Sequence, residues 1–99
     1  MYVVIEVLPG FSRAAYSAAT KEFSVKRIIS YDSLGGVMGF DVEDGAEKCL
    51  EIAKPFSFKF PVTAVGVLYD LEPPRYAGAF ENGEEITVEQ WERSQFAFG

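Results

Sequence analysis

The chain has 99 residues, 48% of them hydrophobic and 15% aromatic, with a formal net charge of −6. That is enough for one domain with one core, too little for two lobes with a catalytic cleft between them, and too apolar for disorder. The acidic balance disfavours ordinary binding to the phosphates of DNA or RNA, leaving Lys26 and Arg27 as one small basic spot.

Tyr2-Val-Val-Ile-Glu-Val-Leu8 is short, rich in β-branched residues and stopped by Pro9-Gly10, the pattern of a central strand covered on both faces. A helix is predicted over about Arg13 to Phe23, with Ser12 as its N-cap and Phe11 and Tyr16 at the spacing of a hydrophobic staple. Ala15, Tyr16, Ala19 and Phe23 form its inward stripe. Val25 to Tyr31 and Val37 to Val42 flank Asp-Ser-Leu-Gly-Gly and read as a hairpin, with Met38, Phe40 and Val42 alternating onto one face.

Asp44 and Glu47 open a second helix in the manner of a capping box, over about Gly45 to Lys54, with Ala46, Cys49, Leu50 and Ala53 inward and Pro55 as its stop. Phe56, Phe58 and Phe60 then alternate with Ser57 and Lys59 in a β-like run, and beyond Pro61 the stretch Val62 to Leu71 holds the fourth strand. Pro73-Pro74 closes a core of residues 1–72 and begins an extension, 73–99, that packs on it as part of the same domain. Within the extension, Tyr76 to Phe80, Asn82-Gly83 and Glu85 to Val88 suit a short hairpin. Thr87 with Gln90 alternatively caps a helix near Val88 to Gln95, which is the preferred reading.

This order predicts an α+β domain, a ferredoxin-like βαββαβ plait with two helices on one face of a four-stranded antiparallel sheet. The Leu8-Pro9-Gly10 junction and the Val65-Gly-Val-Leu68 strand resemble small ligand-sensing modules of the ACT and RAM type, whose glycine-centred pocket sequence has no clear counterpart here. The resemblance implies architecture, and architecture does not carry function with it.

Catalytic chemistry finds few tools. There is no histidine to serve as base for Ser12, Ser17, Ser30, Ser33 or Cys49, and one cysteine without imidazole makes no transition-metal site. Cys49 sits on an apolar stripe, where a thiol behaves as a small hydrophobe. Asp41-Val-Glu43-Asp44-Gly45 lacks the spacing of a calcium loop and reads as a strand end followed by a helix cap, while Asp32-Ser-Leu-Gly-Gly36 is a turn rather than a phosphate cradle. Tyr2, Tyr31 and Phe40 lack the basic, glycine-rich consensus of an RNA-stacking platform. No cofactor and no metal are expected.

Charge placement is more informative than its sum. Residues 1–40 carry four cations against three anions, a net of +1, and the remainder carries five against twelve, a net of −7. Asp41, Glu43, Asp44 and Glu47 form one acidic cluster; Glu81, Glu84, Glu85 and Glu89 form another, with Trp91 beside them. These nine residues are the predicted contact set of a non-enzymatic module that binds a protein partner with a basic surface, in the manner of a viral or mobile-element inhibitor of a nucleic-acid-handling complex, although for Trp91, with Phe96 and Phe98, docking of the tail over the open sheet face is preferred to partner contact. The alternative is a dimeric small-molecule sensor or a small plait enzyme, with the ligand at the junction of a homodimer. The 62–71 run is too short to span a membrane, Tyr2 to Leu8 lacks a basic leader, and the single cysteine fits a reducing, cytoplasmic setting.

Overall fold

A computed structural model describes residues 1–59 and 64–98, with side chains described up to residue 93. The elements are β1 (Tyr2–Val7), α1 (Ser12–Glu22), β2 (Val25–Ser30), β3 (Gly36–Val42), α2 (Ala46–Lys59), β4 (Ala64–Leu71), β5 (Pro74–Glu81), β6 (Glu84–Glu85) and α3 (Val88–Phe98). The strands form one open sheet in the order β2-β3-β1-β4-β5-β6, antiparallel throughout. Among the described residues the chain is therefore an α+β molecule with six strands and three helices, two strands more than the sequence pattern predicts. Pro73-Pro74 does not end the sheet, because β5 begins at Pro74 and pairs along the length of β4.

Each sheet face carries its own apolar cluster. On one face Val3, Ile5 and Val7 of β1 meet Met38, Phe40 and Val42 of β3, covered by Ala15 and Ala19 of α1 and by Cys49, Ala53 and Phe56 of α2. On the other, Val4, Ala64, Leu68 and Ala79 pack around Trp91 of α3. Burial from both sides explains why β1 and β4 read as nearly unbroken hydrophobic runs.

Two helix boundaries differ from the sequence reading. Ser12 is no N-cap: Phe11 occupies that position without a side-chain cap bond, and the Ser12 hydroxyl instead donates to the Ser33 carbonyl at 2.8 Å, tying α1 to the β2–β3 turn. The second helix continues through Pro55 to Lys59. An interior proline costs about 3 kcal/mol in helix propensity. Here the stripe Cys49, Ala53, Phe56 and Ser57 is fully inward, and the buried Phe56 ring packs 6.1 Å from that of Phe23. Phe58 points away at 73% exposure, so the Phe56/Phe58 alternation marks opposite sides of a helix rather than the faces of a strand. Phe60 to Thr63 lie outside the described residues.

The two alternatives for the extension occur in succession. Asn82 (φ 52°) and Gly83 (φ 80°) make the left-handed turn between β5 and β6, a conformation for which Asn-Gly is the favoured pair. The helix then starts on a capping box in which Gln90 N–H donates to Thr87 Oγ1 (3.2 Å) and Thr87 N–H donates to Gln90 Oε1 (2.9 Å).

Candidate functional site

The two acidic clusters of the sequence have different fates. Asp41 pairs with Arg27 Nε at 3.2 Å and lies 3.9 Å from the terminal ammonium of Met1. Asp44 turns inward: Oδ2 accepts the Ser24 N–H at 2.7 Å and Oδ1 pairs with Lys48 Nζ at 3.1 Å. The Ser24 amide, aided by Lys48, holds the Asp44 carboxyl below its ordinary value despite burial. Both aspartates are thus joints between β2, β3 and α2. Of this cluster only Glu43 and Glu47 face solvent.

At the other end of the sheet, Glu84 and Glu85 make up the outermost strand and Glu89 sits in the first turn of α3; all three are exposed. Among the described residues none of them has a basic partner. Glu81 is half-buried. Trp91, placed beside them in the contact set but read preferentially as part of a docked tail, is 0% exposed. Its ring sits so close over Gly66 that a Cβ there would come within 2.7 Å of it, so it anchors α3 and offers a partner no surface. Its indole N–H approaches the Tyr76 hydroxyl without closing a hydrogen bond, and burial followed by Glu92 pushes that hydroxyl up.

α2 separates the clusters. Asp44 packs at its start, while near its end the Ser57 hydroxyl accepts the Gly83 N–H at 2.9 Å. A helix of 14 residues is about 21 Å long, so Glu43 and Glu47 do not join the β6 edge in one patch.

One titratable group escaped the sequence reading. Glu6, on the central strand, is 4% exposed, and Oε2 has no hydrogen-bond partner. Its pKa is raised to about 7, first by burial and then by Glu81. The signal was present in the sequence as a lone acid in an apolar run, Tyr2-Val-Val-Ile-Glu-Val.

Other candidates resolve into structure. Cys49 is buried, its thiol lies 3.7 Å from the Asp44 carbonyl, and burial together with Asp44 pushes the thiol pKa up, which suppresses reactivity. Phe40 is buried on the helix-covered face and Tyr2 lies on the opposite one, while Tyr31 packs on Tyr16 with ring centroids 4.4 Å apart, so the three form no stacking platform. A groove of about 470 Å³ runs between Pro55, Phe58 and Gly83, and one of about 280 Å³ lies beside Glu22, Ile52 and Phe56. Neither brings a nucleophile and a base together. The β2 edge exposes Ile28 and Ile29, yet two register shifts and Lys26 blunt it against pairing with another strand.

Among the described residues no group of three or more His, Cys, Asp or Glu is placed to hold a metal ion, and no helix is long and apolar enough to cross a membrane. Comparison with protein-family models, with curated proteins and with solved structures returned no match.

Proposed function

We propose that the chain is a small, non-enzymatic protein-binding module whose contact surface is β6 and the first turn of α3, directed at a basic surface on a nucleic-acid-handling partner. The observation that carries this reading is the set Glu84, Glu85 and Glu89, three exposed carboxylates without a described cation, on the outermost strand of the sheet and the helix turn that follows it. Unneutralised charge at an edge steers association with a basic groove and imitates a run of phosphates. Glu43 and Glu47 add a separate, weaker feature, and Asp41, Asp44 and Trp91 serve the fold. The scaffold is read as a ferredoxin-like plait: the partial order β4-β1-β3-β2, with α1 and α2 on one face, supports it, and β5, β6 and α3 extend it. The edge-paired dimer is the weaker reading because the β2 edge is blunted.

The test is affinity capture by tagged full-length protein at low and high salt, alongside a triple variant, Glu84→Lys, Glu85→Lys and Glu89→Lys. One predominant partner is expected, released by salt and lost from the variant. Capture of the same partner by wild type and variant alike, without salt dependence, would refute the reading.

A further inference from the structure

α3 crosses the sheet from β5 over β4 to β3, and because β1 lies between β4 and β3 the helix passes over β1 too. Its anchor is Trp91 on Gly66, the residue opposite Val4 of β1. The next row on the same face, about 7 Å further along β1, reads Val37, Glu6, Ala64, Glu81, Glu84 across five strands. Ala64 carries only a methyl group, so along this row nothing large among the described side chains stands between Glu6 and Glu81, and Glu81 acts on Glu6 through space.

Among the described residues, the charged groups around Glu6 offer it no relief. Its neighbours on β3 and β4 are Val37 and Ala64; β5 contributes Glu81 and β6 contributes Glu84. The described charged residues of α3 are Glu89 and Arg93, both exposed, and Glu92, which acts on Tyr76. A neutral carboxyl tolerates an unpartnered oxygen in this setting, whereas a carboxylate needs water or a donor. β3 and β4 are fixed by their ladders on either side of β1. α3 is held through side-chain packing and joined to the sheet through a two-residue strand, so it is the neighbour that can yield.

We propose that Glu6 is a proton-operated latch for α3: protonated, it lets the helix seat Trp91 on Gly66, and ionised against Glu81 it loosens the helix and opens that sheet face. The latch is independent of the partner proposed above. It links the pH of the surroundings to the exposure of Val4, Leu68 and Ala79, and to the position of the helix that carries Glu89.

Trp91 is the only tryptophan in the chain, so its emission reports on α3 directly. Acrylamide quenching and emission maximum of the full-length protein are to be followed from about pH 5.5 to 8.5, with far-UV circular dichroism at each point. Quenching is expected to rise severalfold in one titration centred near pH 7 while the dichroism holds. Glu6→Gln should remain quench-resistant throughout, and Glu81→Gln should move the midpoint to lower pH by removing the repulsion. Flat quenching in the wild type, or a titration that survives Glu6→Gln, overturns the proposal. Should Glu6→Gln fail to fold, Glu81→Gln decides: a shifted midpoint supports the latch and an unmoved one overturns it.

Discussion

Glu6 and Asp44 are both buried acids, yet their neighbours drive them in opposite directions. Asp44 accepts a backbone N–H and faces an ammonium, so its folded pKa falls below the ordinary 3.8. Its contribution to stability is present above that value and is lost as the pH drops through the folded one. Glu6 faces apolar surface and a second carboxyl, so its folded pKa lies near 7 rather than 4.5. Between those values the folded state holds a proton that the unfolded state has released, and stability falls as the pH rises. A shift of this size corresponds to at most about 3 kcal/mol. Urea unfolding across pH should therefore show greatest stability near about pH 4 to 5 and a decline toward neutrality that levels off above pH 7. Glu6→Gln is expected to flatten that decline and to stabilise the protein at pH 8 by about 1 to 2 kcal/mol, since an unpartnered amide remains costly. An unchanged slope in the variant would assign the decline to other groups.

At the scale of elements, the sequence is legible wherever one periodicity acts alone. β1, α1 and the β2–β3 hairpin follow from alternation, an alanine-rich stripe and a glycine turn. Local rules fail where a distant contact decides. Pro55 is a valid stop signal, but it is outweighed because Phe56 and Ser57 are needed inside; Ser57 serves Gly83, 26 residues away, and nothing local in the sequence announces that bond. The same holds for Asp44: Lys48 was visible at i+4, whereas the Ser24 N–H was not, so an acid that looked like surface charge proved to be a joint. Trp91 stood between two readings, a docked tail and a contact residue, for a related reason, since only Gly66 on another element shows that the ring has a seat. The Ser57 joint gives a measurable expectation. Ser57→Ala leaves the Gly83 amide without its acceptor in a part-buried site and should cost about 1 to 2 kcal/mol in chemical unfolding. A loss below about 0.5 kcal/mol, the level of ordinary surface changes, would mean that the turn is held by other contacts.

For the whole molecule, the question is whether residues 73–99 are an appendage or part of the structure that makes the rest stable. β5 hydrogen-bonds along β4, Phe80 enters the helix-covered core, and Ala79 and Trp91 supply much of the core on the other face. Removing them would expose Val4, Ala64 and Leu68 together and turn β4, a mainly apolar interior strand, into a bare edge. Such an edge invites pairing between chains, and the β6 carboxylates that close the sheet at that side would be gone with it. Residues 73–99 also carry five anions against two cations, so truncation would halve the net charge that keeps copies apart, from −6 to −3. A fragment of residues 1–72 is accordingly expected to aggregate or remain unfolded, and the full chain, at about pH 5 where Glu6 keeps its proton, to unfold by heat in one cooperative transition reported equally by Trp91 fluorescence and far-UV dichroism. The two measurements bear on each other: a soluble, folded 1–72 fragment would require Trp91 to report an earlier transition than the dichroism in the full chain. Coincident transitions with an insoluble fragment would establish one folding unit, in which the acidic edge is carried by the same core that it protects.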